Sequence, residues 1–163
     1  ILSLRDEYPD LVPTQFEAAA RQLARRTLLL DEFLAQAAVL GHIGPDAFDD
    51  TARRILLHGH CHQKALSTVE HTATILAIPR NHEATVIPSG CCGMAGSFGY
   101  EQEHFDVSMR IGELVLFPAV READPAAFIV APGTSCRHQI VDGTGRHAIH
   151  PAEILHAALR RQG

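Results

Sequence analysis

Hydrophobic and polar positions follow two different periods along this chain. Over residues 27–40 the apolar positions Leu28, Leu29, Phe33, Leu34 and Ala37 recur every three or four residues, which predicts a helix with one buried stripe. The Ala- and Arg-rich run over 15–26, opened by Pro13-Thr14, predicts another helix just before it. Residues 41–50 read as a polar turn. Short apolar runs over 54–58, 84–88 and 127–131 are too brief for helices and read as buried strands, with a fourth strand over 147–149. Helical spacing returns over 64–76 and over 103–123. The second is the more amphipathic, with Val107, Ile111, Leu114, Val115 and Val120 on one side. Residues 151–160, with Pro151 in the first turn, predict a closing helix.

Strands that alternate with helices predict an α/β fold, a mostly parallel sheet of about four strands flanked by helices. Residues 1–50 form a helical N-terminal segment and 51–163 an α/β cysteine-rich domain. The chain has 163 residues, enough for a real core. A net charge of -5 leaves no basic footprint, so nucleic acid is not an expected partner. No apolar run approaches the roughly 20 residues of a membrane span. No signal peptide is visible, so the four cysteines are expected to be reduced and metal-binding or catalytic. The chain begins at Ile1 without Met, and is expected to be a piece of a longer polypeptide.

The cysteines carry the chemistry. Cys91 and Cys92 are adjacent and lie between Gly90 and Gly93, while Cys61 and Cys136 lie far away on either side. Adjacent cysteines seldom join in a disulfide, because the bridge would be strained. Two thiolates on a glycine-flanked turn can instead face one metal centre. Each of the three cysteine segments follows a predicted strand directly. Ligands of open α/β sheets bind outside the carboxyl ends of the strands, so three such loops would bring Cys61, Cys91, Cys92 and Cys136 to one edge. Four thiolates suit an iron–sulfur cluster or zinc. Four buried inert cysteines are the plain alternative, and a thiol enzyme with His62 or His138 as base is another.

The phrases His58-Gly59-His60-Cys61-His62-Gln63-Lys64, Cys91-Cys92-Gly93-Met94-Ala95-Gly96 and Gly133-Thr134-Ser135-Cys136-Arg137-His138-Gln139 carry a family resemblance. One cysteine, then Cys-Cys-Gly, then another cysteine resembles the CCG cysteine-rich domain. That domain occurs in heterodisulfide reductase and in the iron–sulfur subunits of glycolate oxidase and anaerobic glycerol-3-phosphate dehydrogenase. The wording is more similar still to the C-terminal iron–sulfur region of FAD-linked 2-hydroxyacid dehydrogenases. The resemblance covers about residues 54–160, and Leu4-Arg5-Asp6-Glu7-Tyr8 resembles the segment that precedes it in that branch. It implies metal ligation by Cys61, Cys91, Cys92 and Cys136, with Gly90, Gly93, His62 and His138 around the cofactor. The implied cofactor is a 4Fe-4S cluster, or zinc, and the implied role is electron transfer from FAD to an acceptor. FAD would belong to another domain or subunit of the same enzyme, and the acceptor would be a quinone or a carrier protein. The substrate would be a 2-hydroxyacid of the 2-hydroxyglutarate, lactate or glycolate type, and this piece alone would not oxidise it. The setting would be cytoplasmic, with any membrane association made through a partner. The zinc alternative is a docking module without a redox role. One departure stands out: Gly133 occupies the place of a fifth cysteine, so a five-cysteine cluster set is incomplete.

Other polar residues admit two readings each. His58, His60, His62 and His138 flank cysteines and could be ligands, donors to a cluster sulfur, or ordinary loop histidines. Lys64 and Arg137 could lower thiol pKa or be solvated charges. Gly93, Gly96 and Gly99 resemble a spaced glycine run, read here as backbone room near a cluster with N–H groups turned to sulfur. His104, Asp106 and Glu113 suit a wet helix face, and residues 143–146 a turn.

Overall fold

The computed structural model describes residues 1–160; the last three positions of the 51–163 domain lie outside the described residues. Helices α1 (Leu2–Arg5), α2 (Tyr8–Leu11), α3 (Glu17–Arg26) and α4 (Leu30–Val39) come first. Strand β1 (Arg53–Leu57) is followed by α5 (Cys61–Leu66) and α6 (Glu70–Leu76), then by β2 (His82–Val86). Next come α7 (Phe105–Glu113), α8 (Leu116–Glu122), β3 (Phe128–Val130), α9 (Thr134–Thr144), β4 (Ala148–Ile149) and α10 (Pro151–Ala158).

The four strands form one parallel sheet in the order β2-β1-β3-β4. Leu57 pairs with Val86 on one side and Val130 on the other, which fixes β1 at the centre. An all-parallel sheet must be covered on both faces, and two cores do this. Ile55, Leu57 and Val130 face one core with Ile75, Leu76, Ile154 and Leu155 from α6 and α10. Ile129 and Ala131 face the other with Leu116, Phe117, Val120 and Ile140 from α8 and α9. The chain moves outward from β1 to β2, then crosses back over β1 to β3. The strand order therefore switches direction between β1 and β3, and a crevice opens there at the carboxyl ends.

Three expectations shift. The helix expected over 64–76 is two helices, because the Thr68 hydroxyl accepts from the Glu70 N–H and starts a new turn. The helix expected over 103–123 breaks at Leu114-Val115. Pro118 has no N–H to continue the ladder and its ring opposes the carbonyl four residues back, so it is tolerated only in the first turn of a new helix. Leu114 is 77% exposed at this break rather than on a buried stripe. On α4 the stripe is also displaced: Phe33 is exposed, while Asp31 and Glu32 are buried because polar partners meet them.

Candidate metal-binding site

Each cysteine segment leaves a strand and enters a turn or helix at the same sheet edge. His58 extends β1, its N–H donating to Val130 O at 2.9 Å, and Cys61 opens α5. Ile87 N–H donates to Leu57 O beyond β2, and the chain then runs through Ser89 to Cys91-Cys92. Ala131 N–H donates to Ile149 O beyond β3, and Cys136 falls in the first turn of α9. The expected cysteine loops are thus partly helical starts, Cys61 and Cys136 lying in the first turns of α5 and α9.

All four cysteines are free. They divide into two pairs. Cys92 and Cys136 are buried and belong to the second core, while Cys61 and Cys91 are half-buried. A ring nitrogen of His58, Cys92 Sγ and Cys136 Sγ all lie within 4.8 Å of one another. The Cys92 thiol is held well below its ordinary range, first because Cys136 donates to it and despite the opposing effect of burial. The same contact, with burial, holds Cys136 as a thiol. Burial raises Cys61, and the neighbouring Cys91 raises it further. Cys92 and Cys136 thus share one proton between two sulfurs.

The loop around Cys91-Cys92 is shaped by backbone. Gly93 N–H donates to Cys91 Sγ at 3.3 Å. Gly93 has φ +103°, and a Cβ there would lie 2.1 Å from the Ser108 carbonyl on α7. The room that glycine leaves is therefore taken up by α7. Gly90 meets nothing within 4 Å. Below the loop, Gln139 Nε2 donates to Ser108 Oγ at 2.9 Å, both groups being buried.

The histidines separate. His58 is fully buried, with Nδ1 2.7 Å from Ser89 Oγ, and its Nε2 has no hydrogen-bond partner. The ring is near enough to favour a thiolate at Cys92, yet no nitrogen–sulfur contact there has hydrogen-bond geometry. His60 Nδ1 lies 3.3 Å from Cys136 Sγ. Burial holds the His60 pKa below the histidine range, against the pull of Cys92. His62 stands edge-on to His60, ring centres 6.3 Å apart, and lines a cavity of about 380 Å³ with His60, Gln63 and His150. His138 is exposed and its Nδ1 lies 2.7 Å from the Tyr100 hydroxyl. The pair nearest the sulfurs is thus His58 and His60. The signal in the sequence was register: His58 ends a buried strand beside the crevice, whereas His62 and His138 lie inside helical turns, just past their cysteines.

Lys64 and Arg137 brace the site through carbonyls. Lys64 Nζ donates to Ser89 O at 2.6 Å, and Arg137 donates to Ala131 O and Pro132 O at 2.9 Å each. Gly133 caps α9 at close quarters. A Cβ there would lie 2.8 Å from His60 Nδ1 and 2.9 Å from Cys136 Sγ, so the His60 ring and that sulfur occupy the room a side chain at 133 would need. Of the wet-face residues, Glu113 pairs with Arg121 and His104 with Glu101, far from any thiol contact.

The chain is similar to parts of two kinds of dehydrogenase. It is 27% identical over 157 residues to a subunit of the anaerobic glycerol-3-phosphate dehydrogenase of Escherichia coli K12, a match that covers 96% of this chain and 38% of that protein. It is 41% identical over 68 residues to D-2-hydroxyglutarate dehydrogenase of Escherichia coli K12, covering 40% of this chain and 6% of that protein. The corresponding figures for the Pantoea ananatis enzyme of that name are 36% over 66 residues, 40% and 6%. The chain thus spans well under half the length of these relatives. No protein-family model matches it, and no solved structure does.

Proposed function

We propose that this chain is the electron-transfer region of an FAD-linked dehydrogenase, with a 4Fe-4S cluster held by thiolates drawn from Cys61, Cys91, Cys92 and Cys136. The observation that supports the reading is the group of Cys92, Cys136 and a His58 nitrogen within 4.8 Å of one another, at strand ends beside the point where the strand order reverses. Such a cluster supplies one-electron chemistry between the flavin of a partner domain and an acceptor, a quinone or carrier protein. The chain's own residues would supply the thiolates, turn the Gly93 N–H to sulfur, and hold the loops through Lys64 and Arg137. The oxidised substrate would be a small hydroxyacid or hydroxylated phosphoester, of the kind the relatives' names state. No described helix is long and apolar enough to cross a membrane.

A second reading has a specific observation behind it: one histidine and two cysteines within 4.8 Å also suit tetrahedral zinc. The region would then dock a partner domain and carry no electrons. Iron, zinc and acid-labile sulfide, measured after reconstitution without oxygen, separate the two. The expected result is about four iron and four sulfide per chain with a reducible visible chromophore. About one zinc without sulfide selects the second reading. Metal content unchanged in all four single Cys→Ser variants would defeat both.

A further inference from the structure

The strand-end histidine has one nitrogen accounted for and one not. His58 is fully buried at the switch point, and its backbone N–H is pinned to Val130 O. Ser89 is itself buried and sits 2.7 Å from Nδ1. Nε2 has no partner in a place from which water is excluded, and buried polar nitrogens are nearly always paired. The sulfurs of Cys92 and Cys136 lie with a His58 ring nitrogen within 4.8 Å of one another. A tetrahedron built on metal–nitrogen bonds of about 2.0 Å and metal–sulfur bonds of about 2.3 Å has edges of roughly 3.5–3.8 Å, which lie inside that limit.

We propose that His58 is a ligand, through Nε2, of the metal group held by Cys92 and Cys136. The inference rests on the reading of the site as a metal centre. Ligation at Nε2 places the ring proton on Nδ1, which then donates to Ser89 Oγ. That is the usual arrangement of a metal-bound imidazole, with its second nitrogen donating to an oxygen that fixes the ring. The three donors also share one environment, because all three are buried and come from the ends of β1, β2 and β3. With His58 included there are five donors, one more than a cubane or a tetrahedral ion requires. The surplus falls on Cys61 and Cys91, the two half-buried thiols. Position 133 cannot supply the fifth donor instead, since a side chain there would collide with His60 and Cys136.

The test loads metal-depleted chain with Co²⁺ under argon and reads nitrogen hyperfine coupling by electron–nuclear double resonance, with ¹⁵N-histidine as the label. A directly bonded imidazole is expected in the native chain and in His60→Gln, and is expected to vanish in His58→Gln. Co²⁺ affinity should fall at least about tenfold in His58→Gln, and by about 10–100-fold in Ser89→Ala, which removes only the partner of Nδ1. His58→Cys should keep its Co²⁺ and gain thiolate-to-metal charge-transfer absorption. Should His58→Gln not fold, the native chain and His58→Cys decide. A native chain that binds Co²⁺ without nitrogen coupling, or a coupling that persists in folded His58→Gln or His58→Cys, overturns the ligand and leaves the metal centre standing. A native chain that takes up no Co²⁺ overturns both.

Discussion

Cys92 and Cys136 sit among Met94, Leu116, Ile129 and Ile140, with His58 at the end of the central strand; Cys61 and Cys91 sit half-buried, one on α5 and one on a turn. The inner group takes its rigidity from the sheet and the second core. In the outer pair, Cys61 takes it from polar contacts between α5 and the N-terminal helices, and Cys91 from a loop held by the Gly93 N–H and by Lys64. Gln63 of α5 donates to Asp31 Oδ2 at 2.6 Å, and Ser67 donates to Glu32. Arg5 bridges Glu32 and Leu66 O, tying α1, α4 and the end of α5 together. The two halves of one site therefore respond to different perturbations. Apolar packing governs one, and charge and hydrogen bonding govern the other.

The largest contrast is expected between two glycines. Gly93→Ala combines a positive φ with a backbone collision beside Cys92, and should cost about 3–5 kcal/mol in denaturant unfolding. Gly90→Ala meets nothing and should stay within about 0.5 kcal/mol. Equal losses would mean that the loop is not anchored on α7. The next contrast is between cysteines in metal-free chain. Cys136→Ser places a hydroxyl in the core and should cost about 1–3 kcal/mol, while Cys61→Ser should cost about 0.5 kcal/mol or less. Measured by metal content, Cys136→Ser should lose nearly all bound metal and Cys61→Ser should retain a substantial share. The reverse order would invert the inner and outer assignment.

The smallest effect is a pH dependence confined to the outer half. Arg5 beside Glu32 holds its carboxyl at about 2, against an ordinary value of 4.5. The pair therefore stabilises the fold fully above pH 4.5, and that contribution is lost as pH falls from there toward 2. Hydrogen exchange between pH 5 and pH 3 should show α5 losing protection before β1 and β3 do. In Glu32→Gln the α5 amides should start less protected and change less over the same range. Simultaneous loss in α5 and the strands would remove the distinction between the halves.

The sheet and the placing of the cysteine segments at strand ends were legible because apolar runs and cysteine segments follow one another directly in the sequence. Ile55-Leu56-Leu57, and Phe128-Ile129-Val130, lie in a sheet covered on both faces and read as strands from composition alone. The breaks at Ser67-Thr68 and Leu114-Val115 were harder, since helical periodicity continues across them. Pro118 was the visible sign of the second. The burial of Asp31 and Glu32 could not be read, because their partners Gln63, Thr72, Arg5 and Ser67 lie 27 to 41 residues away. The same reason left His58 as one candidate among four. Its distinction from His60 and His62 depends on strand register and on Ser89, 31 residues further along.

The crossing back over β1 also sets a timetable. While the chain is unfolded, only the neighbouring Cys91 and Cys92 can grip a metal together. Between them and Cys61 lie 29 residues, and between them and Cys136 lie 43, and the pairing of β1 on both sides is what closes both loops. The last donor is also the last to leave the ribosome. Small zinc modules use their metal as the template for folding; a metal held by the donors proposed here would instead find its site on a closed sheet, as a latch. Such a group would then add RT ln(1 + [L]/Kd) to a protein already shaped to receive it, and chain without metal would be folded and empty.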